Sequence, residues 1–245
     1  MNKKYKNSPI IEAVCEFRFA PSLSWDPTIP GVIYEKIKDI FPKKRRVQIQ
    51  EFTFTAEEKG MKQEVKTSER AQFLHEEEKI FMQVGQDVLS VHHLKPYSSW
   101  SNFYTFIVKA FNTYREIANP TGIQRIGLRY INRMEIPKEP IEIEGYFNFR
   151  PYIGENMPQE ISSIFSGAVF NFEGGKHLMK VQLKDIPMSK PSTGLSAFIF
   201  DMDYFTASPG SVNIEDIENW LNIAHERIEK IFEEALTEET KKLFN

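Results

Sequence analysis

Ile11-Glu-Ala-Val-Cys-Glu-Phe-Arg-Phe19 decides the fold. Ala13, Cys15, Phe17 and Phe19 share one parity, and Glu12, Glu16 and Arg18 share the other. That period of two is the mark of a strand with one apolar and one polar face. Pro9 and Pro21 bracket the run. Downstream, Ile29-Pro-Gly31 opens a helix expected to reach about Phe41, with Ile33, Ile37, Ile40 and Phe41 on one stripe. Pro30 suits its first turn and Pro42 stops it. Val47–Thr55 reads as a strand whose phase slips between Val47/Ile49 and Phe52/Phe54, so a bulge is expected near Gln50-Glu51. After a turn at Lys59-Gly60 come weakly alternating segments around Met61–Lys66 and Ala71–His75. Ile80–Val84 and Val88–His92 flank Gly85-Gln-Asp87 as a hairpin. A helix from about Trp100 to Ala118 carries the stripe Phe103, Phe106, Ile107, Ala110, Phe111 and Tyr114, and Asn119-Pro-Thr-Gly122 ends it.

The order then recurs. Ile123–Met134 is a long strand, and Pro137 to Asn156 is irregular with three prolines. Gln159–Phe165 reads as a short helix, and Ala168–Phe172 and Leu178–Leu183 form a hairpin about Glu173-Gly-Gly175. A loop at 186–194 precedes the strand Leu195–Tyr204. Asn213 and Asp216 form a capping pair for a last helix whose seam is Ile217, Leu221, Ala224, Ile228, Ile231 and Ala235. That seam fits a sheet better than a helix–helix dimer, because the phenylalanine-rich strands need cover. The expected class is α+β. A large, curved, mainly antiparallel sheet is built from two related β-α-β(n)-α halves, about 9–119 and 122–237, with long helices packed on one face. The turn between the halves is too short for a linker, so 1–245 is expected to be one domain.

Composition narrows the function. Of 245 residues, 20 are Phe and 9 are Tyr, which suits half-buried sheet faces and argues against disorder. A net charge of -3 speaks against a surface built wholly for nucleic acid. The one cysteine, Cys15, permits no intrachain disulfide and suits a reducing cytoplasm. It sits on an apolar strand face with no base nearby in sequence, so it reads as a small buried hydrophobe rather than a nucleophile. The basic N-terminus is followed by no apolar run, so neither a signal peptide nor a membrane span is expected.

Several segments together carry a family resemblance: Pro9–Phe19, Gln83–Ser90, Leu94–Trp100, Arg125-Ile-Gly-Leu-Arg-Tyr-Ile-Asn-Arg133, Phe200-Asp-Met-Asp203 and Ala224-His225. They resemble a sporadically distributed, uncharacterised prokaryotic family of about this length. The resemblance spans nearly the whole chain and is most specific at Arg125–Arg133. It comes with no assigned reaction, so it implies no catalytic role.

Arg125, Arg129 and Arg133 share one strand face, which needs water, carboxylates or a polyanion. One answer is cross-strand pairing with Glu12 and Glu16 if the two opening strands are neighbours. The other is a binding surface of Glu12, Glu16, Arg18, Arg125, Arg129, Arg133, Asp201 and Asp203, with Trp100 at a groove edge. The leading expectation is a non-catalytic binding or regulatory protein that recognises a protein or small anionic ligand there, a homodimer being among the arrangements considered. A second is a metal-dependent hydrolase or nuclease using Asp201, Asp203 and Glu16. A third is nucleic-acid binding through Lys43-Lys-Arg-Arg46, read otherwise as a solvated loop. His92 and His93 point to opposite faces, and His75, His177 and His225 stand alone, so no metal site or cofactor is expected.

Overall fold

The structure, a computed structural model, describes residues 5–21, 25–57, 60–137, 143–187 and 195–245. Nine strands form one open antiparallel sheet: β1 (Ile10–Phe19), β2 (Lys43–Glu57), β3 (Gly60–Leu74), β4 (Ile80–Gly85), β5 (Val88–Leu94), β6 (Ile123–Pro137), β7 (Phe165–Phe172), β8 (His177–Ile186) and β9 (Leu195–Thr206). Their spatial order is β2-β3-β4-β5-β1-β6-β9-β8-β7. Thus β1 pairs with β5, β6 pairs with β9, and β1 and β6 pair with each other at the centre. The α-helices among the described residues are α1 (Ile29–Ile37), α2 (Trp100–Ala118), α3 (Ile217–Ala235) and α4 (Glu238–Lys242).

The alternation of β1 places Ala13, Cys15, Phe17 and Phe19 in the core and Glu12, Glu16 and Arg18 on the other face. Phe17 and Phe19 stack on Phe111 and Tyr114 of α2. Each such buried ring stabilises the fold by about 1.5–3 kcal/mol. Ser99 caps α2 by accepting from the Asn102 N–H, and Asn119 ends it in the left-handed conformation at φ 45°. Ile217, Trp220, Leu221, Ala224, Ile228 and Phe232 bury the apolar face of α3, which packs on β9 and β6. One apolar cluster contains side chains from β1, α2, β6, β9 and α3.

Several expectations need correction. Helix α1 stops at Ile37, where a tight turn bonds the N–H groups of Ile40 and Phe41 to the Ile37 carbonyl and carries Phe41 into the core. The phase slip in β2 produces no bulge: its register with β3 runs unbroken from Lys43↔Leu74 to Glu57↔Gly60. Only Ala71–Leu74 of β3 pair with β4, so most of this pair is a two-stranded ribbon with no sheet alongside to fix one buried parity. The weak segments after Gly60 are one strand; Lys59 lies outside the described residues. Register shifts instead fall in β1 against β6, between Ile10 and Glu12 and between Arg18 and Phe19. Gln159–Phe165 forms no helix, because Asp185 accepts hydrogen bonds from Ser163 Oγ and the Ile164 N–H and ties the segment beside β8. Of the expected loop at 186–194, residues 188–194 lie outside the described residues. Asn213 and Asp216 bond each other, and a short 3-10 turn leads into α3. Lys43–Arg46 is not a loop but the first part of β2.

Candidate functional site

The eight charged residues singled out in the sequence lie on the sheet face opposite the buried core. The structure sets each against a partner of opposite charge or a hydrogen-bonding ring. Glu12 binds His92 Nδ1 at 2.8 Å, while Ser90 meets His92 Nε2 at 2.9 Å. Glu16 pairs with Arg18 at 2.8 Å and lies 3.8 Å from Arg125 and 3.9 Å from Arg70. Arg125 donates to Asp203 at 2.9 Å. Arg129 grips both oxygens of Asp201, at 2.8 and 2.5 Å, and Arg133 meets Glu135 at 2.9 Å. In the strand register Arg129 stands opposite Asp203, so it reaches Asp201 diagonally. Gly127 makes this geometry possible, since a Cβ there would sit 2.7 Å from Arg125 Nη1. Burial raises the Asp203 pKa from its ordinary value, and this outweighs the neighbouring guanidinium groups.

Asp201 and Asp203 are thus held by arginines, and among the described residues no group of three or more His, Cys, Asp or Glu is placed to hold a metal. The basic run is similarly engaged. Lys43 binds Glu78, Lys44 lies 4.0 Å over the Tyr34 ring, Arg45 donates to Gln72 and Arg46 lies 3.7 Å from Glu69. Cys15 is fully buried, and desolvation pushes its thiol pKa up, away from a nucleophile's range.

A different constellation lies on the helix side of the sheet. A cavity of about 290 Å³ opens between β6 and α3, bordered by the N-terminal segment around Tyr5–Ile10 and by the turn into α2. Its volume is at the lower end of the roughly 300–1,000 Å³ typical of small-molecule sites. Tyr130 and Asn132 are two apart on β6 and so project from one face. His225, Glu229 and Phe232 follow helical spacing on α3 and share a side of it. Trp100, at the first position of α2, stacks on the His225 ring with centroids 4.4 Å apart and planes 13° from parallel. Its indole N–H donates to Asn222.

Polar atoms converge at the wall. The hydroxyls of Tyr97 and Tyr130 are 3.2 Å apart, and the Tyr130 hydroxyl is 3.3 Å from His225 Nδ1. His225 Nε2 is buried with no protein hydrogen-bond partner among the described residues. Desolvation pulls the His225 pKa down to about 4, so the imidazole is neutral at physiological pH. It then carries one donor and one acceptor nitrogen. Burial raises the pKa of Tyr97 and Tyr130, which keeps both phenols protonated. Tyr5 donates to Glu233 at 2.6 Å at the rim, where Lys241 also approaches Glu233.

Of the nine residues expected to form a binding surface, Trp100 alone is among the described residues that line this cavity. Sequence reasoning missed Tyr97, Tyr130 and His225. Its available signal was their placement: Tyr130 and Asn132 on the apolar parity of β6, and His225 on the apolar seam of α3. Compared with protein-family models and with curated proteins, the chain matches none.

Proposed function

We propose that this protein is a binding protein whose ligand is a small neutral molecule with a flat, largely apolar body and a hydrogen-bonding group. The observation that carries this reading is the meeting of Tyr97, Tyr130 and neutral His225 at the wall of an aromatic-lined cavity. The walls supply apolar contact, and the neutral donors and acceptors fix orientation without charge. An anionic ligand fits this cavity less well, because its lining among the described residues includes Glu229 and Glu233 and no Lys or Arg. The charged sheet face is the second reading, for a protein partner. Its arginines already hold carboxylates, so an incoming anion would have to displace them.

The same reading takes the chain as one functional unit of two related halves. Its support is the strand order, in which β1 and β6 each pair with the last strand of their own half and with each other. A reducing compartment agrees with the lone buried Cys15, and no helix among the described residues is long and apolar enough to cross a membrane. The resemblance to a sporadically distributed prokaryotic family adds no reaction to this picture.

Native mass spectrometry of protein gently purified from its own host tests the proposal. The expected result is a bound small molecule that Trp100→Ala and His225→Ala release. A mass that survives both substitutions but is lost from an Arg129→Ala, Arg133→Ala variant would move the site to the charged face. A bare chain that is also not stabilised against heat by a panel of small heteroaromatic compounds would overturn the reading.

A further inference from the structure

The two edges of the open sheet are built differently. At one end, β2 carries Lys43, Lys44, Arg45 and Arg46, and charge on an edge strand discourages pairing with another chain. At the other end, β7 lacks the charges, proline and bulge that protect an edge strand. From Ile161 to Phe172 there is no charged residue and no proline. The register of β7 with β8 is unbroken from Phe165↔Lys184 to Phe172↔His177, so no bulge twists the edge away. Its side chains are apolar on both faces: Phe165 is 61% exposed, Val169 56% and Phe170 38%. Among the described residues, six of the nine exposed large hydrophobic side chains fall between Tyr152 and Phe170, in β7 and the chain that leads into it.

We propose that β7 pairs antiparallel with β7 of a second copy, joining two sheets into one across a twofold axis. Three observations select a second copy. An uncharged strand opposes itself without like-charge repulsion, whereas β2 would set the cations of Lys43–Arg46 into a desolvated edge. Pairing β7 with β2 would be head-to-tail and would leave one β7 open to a further copy, but β7 with β7 uses both apolar edges and leaves only β2 at the outer ends. The twofold also preserves faces, so the face carrying Phe165 and Val169 continues into the same face of the copy, and the face carrying Phe170 does likewise. Lys180 and Lys184, the neighbours of Val169 and Phe165 on β8, then form a polar rim about an apolar centre.

The symmetry makes a sharp geometric demand. In antiparallel pairing about a twofold axis one residue of β7 stands opposite its own copy, with Cα atoms about 4.5–5.5 Å apart. That separation lies within the roughly 4.4–6.8 Å spanned by disulfides. Cysteines placed singly at Gly167, Ala168, Val169 and Phe170 therefore scan for the axis, and buried Cys15 leaves the background silent. Sedimentation of the full chain should show a concentration-dependent dimer. Val169→Lys should weaken it at least about tenfold, since like charges meet near the axis. Mild oxidation should link at least one of the four cysteine variants into a covalent dimer, and Val32→Cys on exposed α1 should not link. A monomer at every concentration overturns the proposal, including a monomer that captures a strand of another protein. A dimer indifferent to Val169→Lys, with no link in the scan, overturns it too.

Discussion

Acidification should weaken this fold through one side chain, and the size of the effect follows from its burial. The His225 pKa falls from 6.5 to about 4 in the folded chain because burial disfavours the cation. The folded value is depressed, so the stability it confers is complete above pH 6.5 and is lost as pH falls toward 4. The full difference corresponds to about 3 kcal/mol, of which about 2 kcal/mol is gone near pH 5. Glu229 and Glu233 line the same cavity and favour the cation, so these are upper values. His225→Phe removes the titration, keeps a ring against Trp100 and gives up the bond to Tyr130, a loss of about 1 kcal/mol. Wild type should therefore lead the variant near neutral pH and trail it near pH 5. Urea unfolding followed by far-UV circular dichroism measures both, and His93 and His177, also depressed by burial, cancel in the difference. A gap between wild type and variant that is the same at both pH values would refute the reasoning.

Two further outcomes follow from the sheet. Arg129→Ala strands Asp201, whose side chain is 16% exposed, and should cost about 1–3 kcal/mol in urea unfolding. Asp201→Ala should cost less, because Arg129 is 46% exposed and can rehydrate, and the double variant should cost less than the two singles summed. Cys15 lies on the central strand with no exposed surface, so a thiol reagent should label native protein no faster than the chain unfolds globally. Labelling in the native baseline that outpaces unfolding would show that β1 opens locally.

The faces of the strands were legible because burial imposes them. β1, β6 and β9 each bury one parity, and a strand that buries one parity writes its register into the sequence. Where the sheet imposes nothing, the pattern misled. Along most of the β2–β3 ribbon no third strand fixes a buried parity, so the slip from Val47 and Ile49 to Phe52 and Phe54 calls for no bulge. The short helix at Gln159–Phe165 failed for a related reason. Its conformation is set by Asp185, more than twenty positions away, and local propensity does not contain that bond. The same division runs through the site. That Arg125, Arg129 and Arg133 share a face is local, but whether they are paired depends on β9 lying beside β6 with 72 positions between Arg129 and Asp201. His225 and Tyr130 are 95 positions apart, so their meeting is written nowhere in either segment. What each segment does show is a polar group on a stripe that must be buried. Burying such a group costs about 1–3 kcal/mol unless something bonds it. A histidine on the seam of α3 and a tyrosine and asparagine on the inner face of β6 each need a partner, and Asn132 finds one in the Phe200 carbonyl. The inner polar residues, more than the conspicuous arginines outside, mark where a chain of this kind has kept a chemical group at a cost to its own core.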